Sequence, residues 1–140
     1  MNGYPIDHVA VAVSSLSDAV PMFERLLGAA GSPVEELPAQ GVNVAFVGDI
    51  ELLEPTGPDS TVARFLERRG SGLHHIAYRV PEIVGALRIA KAEGFQLIDS
   101  EPRPGAGGHL VAFLHPASTG GILIEFVQRQ GNGPLPIGPV

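Results

Sequence analysis

The stretch IDHVAVAV at Ile6–Val13 returns as LHHIAYRV at Leu73–Val80, and this repetition decides how the rest of the chain is interpreted. The two stretches lie 67 residues apart. Both are rich in valine, isoleucine and alanine, which is typical of a buried β-strand. Self-similarity at a fixed distance indicates that one structural module occurs twice.

Each copy continues into a segment with helical periodicity. In the first copy Ser15 or Ser17 offers an N-cap and Gly28 supplies a stop. In the second copy Pro81 opens the segment and Gly94 ends it. One apolar face recurs in both segments, through Val20, Phe23 and Leu27 and then through Ile83, Leu87 and Ala90.

The second half of each copy is also repeated. VAFVGDIELLEP at Val44–Pro55 matches VAFLHPASTGGILIEFVQ at Val111–Gln128, and the valine-alanine-phenylalanine openings again lie 67 residues apart. A longer glycine- and proline-rich turn in the later copy moves the final strand to an offset of 74. Each copy is therefore predicted to be a strand, a helix and then two or three antiparallel strands, or βαβββ.

This pattern predicts an α+β fold built from two tandem βαβββ modules, residues 1–58 and 73–128. A linker helix capped by Asp59 or Ser60 is expected over residues 59–72, and a flexible tail over residues 129–140. One such module is too small to cover its own apolar face. We therefore expect the modules to pair into a cup-shaped sheet with a shared cleft, giving one compact domain.

Composition excludes several classes of protein. The 140 residues contain no cysteine, which rules out disulfides, thiolate metal sites and iron–sulfur clusters and favours a cytoplasmic location. A net charge of −6 argues against a nucleic-acid partner, since phosphate binding needs a basic surface. No apolar run approaches the roughly 20 residues that cross a bilayer, so we expect neither membrane insertion nor secretion.

Four polar residues interrupt strands that are otherwise apolar, and the repeat relates them as two pairs: His8 with His75, and Glu51 with Glu125. Any one of them alone is explained by an exposed sheet face. Two imidazoles and two carboxylates together form a ligand set for a divalent ion such as Co, Ni, Mn, Zn or Fe(II). The sequence therefore predicts one metal site with a pair of ligands from each module.

Other polar residues nearby have simpler explanations. His74 points to the opposite face from His75, because adjacent strand residues alternate. His109 and His115 lie near a glycine-rich turn and are predicted to be loop residues, and Glu54 is predicted to be a surface charge at a strand end. Residues 105–108 lack the strand–GxGxxG–helix setting of a dinucleotide loop and are expected to form a turn.

Several segments, in order and spacing, resemble the methylmalonyl-CoA epimerase family of the vicinal oxygen chelate superfamily: IDHVAVAV, GLHHIAYRV, DSTVARFLERRGSG, FLHP and GGILIEFVQ. The resemblance runs from about Ile6 to Gln128. It implies paired βαβββ modules, a homodimer and a divalent ion, most often cobalt. It also implies that the metal ligands are His8, Glu51, His75 and Glu125.

The implied reaction interconverts (R)- and (S)-methylmalonyl-CoA by removal and return of an α-proton through a metal-stabilised enolate. Several members carry a glutamate shortly after the segment that corresponds to Gln40-Gly41-Val42, but Asn43 and Val44 stand here. Glu51 and Glu125 are therefore the candidate bases as well as ligands. Many members have lysine where Ala117 and Ser118 follow FLHP, which leaves the binding of the substrate's anionic groups open.

An acyl-CoA substrate also needs cations for its phosphates. The candidates are Arg79, Arg103, Arg88 and Lys91, of which Arg88 and Lys91 are equally explained as solvated helix charges.

Three other functions share parts of this pattern. Glyoxalase I has a similar His-Glu-His-Glu set, but LHHIAYRV and FLHP match the epimerases better. A metal-free binding protein of the superfamily would have lost ligands, and this chain keeps all four. An Fe(II) ring-cleaving dioxygenase resembles a two-histidine, one-glutamate set and usually has twice the modules.

Overall fold

A computed structural model describes residues 3–131, and these form two compact units. One unit is Val9–His74, and the other joins residues 3–8 to residues 75–131. The order of elements along the chain is βαβββ, a linking helix, and βαβββ again. The predicted α+β class with two such modules is confirmed, whereas the module boundaries stay a prediction. The part of the predicted tail beyond residue 131 lies outside the described residues.

The unit Val9–His74 has the strand order β2-β3-β4-β1. Strand β1 pairs with β4 in parallel, and the other neighbours are antiparallel. Gly48 and Asp49 alone connect β3 to β4, and Gly48 has the positive φ of +59° that the first position of a type II′ turn requires. The elements are β1 (Ile6–Ala12), α1 (Leu16–Leu27), β2 (Glu35–Leu37), β3 (Val42–Val47), β4 (Ile50–Pro55) and the linking helix α2 (Thr61–Arg69).

The other unit repeats this arrangement with the order β5-β8-β7-β6. Strand β5 pairs with β8 in parallel, and β8, β7 and β6 are antiparallel neighbours. The boundaries between the units fall inside β1, after His8, and inside β5, after His74. The elements are β5 (Gly72–Arg79), α3 (Ile83–Ala92), β6 (Arg103–Pro104), β7 (Leu110–Leu114) and β8 (Ile124–Gln128).

Helix ends follow local capping chemistry. Ser15 caps α1 and Ser60 caps α2, each through a hydroxyl that accepts a backbone N–H three residues on. Gly28 ends α1 with a left-handed φ of +65°, as predicted. Helix α3 begins after Glu82 rather than at Pro81, because the Glu82 carboxylate accepts the N–H groups of residues 84 and 85. No helix in the described part of the chain is long and apolar enough to cross a membrane.

Helices α1 and α3 each cover one face of the strands of their own unit and leave the other face for the polar residues. Paired residues such as Ala45 and Leu52, or Ala112 and Phe126, belong to the core beneath the helix. The next pairs along the same strands, which include the two glutamates, therefore point to the opposite face. The cores consist of Val13, Leu16, Ala19, Ala45, Val47 and Leu52 in one unit and of Val80, Ile83, Ala86, Leu87, Ala90, Ala112, Leu114 and Phe126 in the other.

A side chain from the last strand of each unit holds the first N–H of the helix above it. Glu54 Oε2 accepts from Leu16 N at 2.8 Å, and Gln128 Oε1 accepts from Ile83 N at 2.8 Å. Glu54 also accepts from Asn43 Nδ2 at 3.3 Å. The prediction that Glu54 is a surface charge is therefore wrong: it is half-buried and supplies the acceptor that the N-terminus of α1 lacks.

Candidate functional site

Three of the four predicted polar residues converge in the unit that contains residues 3–8 and 75–131. Oε1 of Glu125 lies 3.3 Å from Nε2 of His8 and 3.4 Å from Nε2 of His75. A ring nitrogen of His8 and one of His75 lie within 4.8 Å of each other. All three side chains are buried, at no more than 7% exposure. Two imidazoles and a carboxylate thus meet away from water.

Strand register explains how this cluster forms. Glu125 pairs with Ala77 on one side, and Ala77 follows His75 by two residues, so His75 and Glu125 share a face. On its other side Glu125 pairs with Phe113, whose ring contacts the His75 ring edge-on with centroids 5.1 Å apart. Ala77, Val111 and Val127 form a buried apolar group on this same face. The cluster therefore has apolar neighbours on the strand surface that presents it.

Electrostatics keep Glu125 ionised in spite of its burial. Burial alone would raise the pKa of the Glu125 carboxyl, but the charges and hydrogen bonds of His75 and His8 lower it below its usual range. Glu125 is therefore a carboxylate at neutral pH. An anionic oxygen beside two imidazole nitrogens is a combination of donors that a divalent cation can bind.

Asp7 was not among the predicted site residues. It contacts His8 through Nδ1, the ring nitrogen other than the one that faces Glu125. Its Oδ1 lies 2.7 Å from His8 Nδ1, and its Oδ2 accepts from Arg129 Nε at 3.0 Å and Arg79 Nε at 3.2 Å. Burial would raise the pKa of the Asp7 carboxyl, but His8 and the two arginines hold it at about 2. A charged residue directly before a ligand candidate, within a buried strand, was the available signal.

Glu51 lies in the unit Val9–His74 and occupies the position equivalent to Glu125. It is buried on β4, where it pairs with Ala10 on one side and Phe46 on the other. Ala10 follows His8 by two residues along β1, as Ala77 follows His75 along β5. The alanine and phenylalanine neighbours of the two glutamates are thus the same in both units.

The remaining histidines have local roles. His74 is half-buried with its ring 5.1 Å from that of Phe65, whereas His75 is buried, so the two point to different surroundings as predicted. Nδ1 of His115 accepts from Ala117 N in the turn after β7. His109 lies in the loop before β7, as predicted, where it is buried and its Nδ1 accepts from Gln130 N at 2.8 Å.

The four cations proposed for an acyl-CoA differ in their placement. Arg88 and Lys91 are exposed on α3, and Arg79 is hydrogen-bonded to the buried Asp7. Arg103 lies with its guanidinium carbon 5.6 Å from the centre of the Phe113 ring, and its Nε lies 3.5 Å from Asp99 Oδ2. The Phe113 ring also contacts His75, so it touches both Arg103 and a member of the cluster.

The donor atoms fit a divalent transition-metal ion. Protein nitrogen and oxygen ligands lie about 2.0–2.2 Å from such an ion, so neighbouring donors around it are roughly 3 Å apart. The two separations that involve Glu125 Oε1, 3.3 and 3.4 Å, are close to this spacing. Imidazole with carboxylate suits Zn, Co, Ni, Mn or Fe(II), and with no cysteine in the chain a thiolate-preferring ion is disfavoured.

Comparisons with known proteins show what this chain is similar to. A model of the Glyoxalase/Bleomycin resistance protein/Dioxygenase superfamily matches residues 7–113. The ethylmalonyl-CoA/methylmalonyl-CoA epimerase of Cereibacter sphaeroides is 42% identical over 88% of this chain and 96% of that protein. Human mitochondrial methylmalonyl-CoA epimerase is 39% identical over 88% of this chain and 73% of its own length.

A solved structure gives the same result for the fold. A variant of Streptomyces coelicolor methylmalonyl-CoA epimerase in complex with 2-nitronate-propionyl-CoA is 29% identical and superposes with a TM-score of 0.87 over 94% of this chain and 99% of that one. This likeness confirms the predicted vicinal oxygen chelate fold. With the superfamily model covering most of the sequence and relatives near 40% identity, the chain belongs to the methylmalonyl-CoA epimerase family of the Glyoxalase/Bleomycin resistance protein/Dioxygenase superfamily.

Proposed function

We propose that this protein is a metal-dependent enzyme that interconverts (R)- and (S)-methylmalonyl-CoA. The observation that carries the proposal is the buried cluster of His8, His75 and Glu125, in a chain about 40% identical to methylmalonyl-CoA epimerases. The same comparisons favour an epimerase over glyoxalase I. The substrate is thus an acyl-CoA with an acidic proton between a carboxylate and a thioester.

His8, His75 and Glu125 would hold the metal ion, with Glu51 as the fourth protein ligand. Glu51 is supported by its burial and by its pairing with Ala10, which puts it on the face of β1 that also carries His8. A divalent ion supplies positive charge where negative charge develops on the substrate during proton removal. We propose cobalt as this ion, since imidazole and carboxylate oxygen form a site that it accepts.

Proton transfer needs a carboxylate that reaches the α-carbon. Asn43 and Val44 supply no acid, which leaves Glu51 and Glu125 as the candidates for taking the proton on one face and returning it on the other. The lowered pKa of Glu125 keeps it deprotonated and therefore able to accept a proton, although it also makes Glu125 a weak base. The apolar surface of Ala77, Val111 and Val127 limits water near the reacting carbon.

Arg103 is our candidate for binding an anionic group of the substrate. It is about two-fifths exposed, and the Phe113 ring holds its guanidinium over the strand face that carries His75 and Glu125. Arginine binds carboxylates and phosphates through two parallel N–H groups. Arg88 and Lys91, by contrast, lie on the exposed side of α3, which packs against the opposite face of the strands.

The experiment that tests the proposal is proton NMR in D₂O of the cobalt-reconstituted protein with methylmalonyl-CoA. Metal-dependent loss of the C2 proton signal is the expected result. His75→Ala should remove this exchange, whereas His115→Ala, which alters a histidine in the turn after β7, should preserve it. A C2 proton signal of methylmalonyl-CoA that does not change would overturn the proposal. Formation of lactoylglutathione from methylglyoxal and glutathione would then assign the protein to glyoxalase I.

We also propose that the protein is a homodimer and, as its lack of cysteine suggests, cytoplasmic. Helix α1 exposes Met22, Leu26 and Leu27 by 43%, 70% and 47%, an apolar surface of the kind that subunit interfaces cover. Analytical ultracentrifugation gives the mass directly. A monomer at micromolar concentration would contradict the dimer without affecting the proposed reaction.

A further inference from the structure

The Asp7 carboxylate is held on both sides by groups from distant parts of the chain. Oδ1 faces His8 Nδ1 at 2.7 Å, a short distance for a bond of this kind. Oδ2 accepts two N–H groups, from Arg129 Nε at 3.0 Å and from Arg79 Nε at 3.2 Å. The Asp7 side chain is only 2% exposed. The carboxylate therefore has a fixed orientation, with one oxygen reserved for His8.

This orientation decides which nitrogen of His8 carries the proton. An ionised carboxylate can only accept hydrogen bonds, so the His8 Nδ1 that faces it must be the donor. In the neutral ring the lone pair is then on Nε2. Nε2 is the atom that lies 3.3 Å from Glu125 Oε1, at the centre of the cluster.

We propose that Asp7 is a positioning residue that fixes His8 in the tautomer with Nδ1 protonated and Nε2 available to a metal ion, and that Arg79 and Arg129 hold Asp7 for this purpose. The inference rests on the ligand role of His8 in the proposed function. Partners of this kind orient a ligating histidine and commonly change metal affinity by about 10- to 100-fold.

The two arginines make the replacement of Asp7 by asparagine unusually informative. Asparagine has a single side-chain oxygen, and its other terminal atom is a donor. Two N–H groups already point at the Oδ2 position, so the amide is expected to turn its oxygen toward Arg79 and Arg129. Its NH₂ group would then donate to His8 Nδ1, which forces the proton onto Nε2 and blocks the metal.

The experiment is ¹⁵N NMR of the imidazole nitrogens in the metal-free protein at about pH 8. In the unaltered protein His8 should carry a proton on Nδ1, the nitrogen that faces Asp7. Asp7→Asn should reverse this assignment and weaken cobalt binding by about 10- to 100-fold in a titration. The matched control is Asp99→Asn, which changes a carboxylate that accepts from Phe113 N in the same unit and should leave the His8 tautomer unchanged.

Two results would overturn the inference. An Nδ1 of His8 without a proton in the unaltered protein does so without any variant, so the test survives if Asp7→Asn fails to fold. An Asp7→Asn protein with a native circular dichroism spectrum, the original tautomer and unchanged cobalt affinity does so as well. Neither readout uses substrate, and the proposed epimerase reaction fails separately if the unaltered protein exchanges no C2 proton.

Discussion

The two βαβββ repeats of this protein carry the same pattern of polar residues and differ in the contacts of the neighbouring residues. In both, a histidine is followed two residues later by an alanine, the alanine pairs with a buried glutamate, and the glutamate pairs with a phenylalanine. The residue before the histidine is Asp7 in one case and His74 in the other. Asp7 joins a buried hydrogen-bonded group with two arginines, whereas His74 packs against Phe65. Repetition therefore preserves the histidine and glutamate positions, while the contacts of the residue before each histidine are particular to each repeat.

Removing the paired histidines should have the largest effect. We expect His8→Ala and His75→Ala each to lower cobalt affinity by roughly 100-fold or more and to abolish C2 proton exchange, because loss of a ligand costs more than loss of its hydrogen-bonded partner. Isothermal titration calorimetry measures the cobalt affinity, and proton NMR in D₂O measures the C2 proton exchange. The fold should persist by circular dichroism. A variant that remains metal-loaded and active would show that the two positions are not equivalent.

The paired glutamates separate ligation from proton transfer. Glu51→Gln and Glu125→Gln should each lower turnover by about 10²- to 10⁴-fold if the carboxylate moves a proton. A base loses far more turnover than metal occupancy, whereas a pure ligand loses both alike. Metal content and turnover are therefore measured on the same samples. If one variant loses only turnover and the other loses turnover and bound metal, the two glutamates have different roles despite their equivalent positions.

At one pair of equivalent positions the units carry opposite charges. Arg103 pairs with Val111 in one unit, and Glu35 pairs with the corresponding Val44 in the other. Arg103→Ala should raise the KM for methylmalonyl-CoA by about 10-fold with little change in kcat, as loss of one uniform binding contact does. Glu35→Ala is the matched variant and should leave KM within about twofold. Equal KM values for Arg103→Ala and the unaltered enzyme would remove Arg103 from the substrate site.

The smallest effects should come from the strand side chains that hold the helix N-termini. Glu54→Ala should destabilise the protein by about 2 kcal/mol, because a charged acceptor is lost from Leu16 N, and Gln128→Ala by about 1 kcal/mol. Urea unfolding at constant m gives both values. Glu54→Gln, which copies the acceptor of the other unit, should cost less than Glu54→Ala. A larger loss of unfolding free energy in Gln128→Ala than in Glu54→Ala would contradict this prediction.

The features that could be predicted are those that recur as residue types in the repeat, and those that could not are hydrogen bonds between residues far apart in the sequence. The two βαβββ modules and the relation among His8, His75, Glu51 and Glu125 are visible because each residue has a counterpart 67 or 74 positions away. Asp7 was missed because Arg79 and Arg129 lie 72 and 122 residues further on, and no local pattern predicts such a contact. The acceptor role of Glu54 was missed for the same reason, since its N–H partner lies 38 residues earlier.

The unequal hairpins have a practical consequence for engineering. Gly48 and Asp49 alone join β3 to β4, whereas residues 115–123 join β7 to β8, yet Glu51 and Glu125 keep the same pairing partners in their strands. The extra length is absorbed by a 3₁₀ turn and by Gly120 and Gly121, whose φ angles are +73° and +89°. We therefore expect this tip to accept an inserted fluorophore-binding peptide or affinity epitope without a shift in the register of β8.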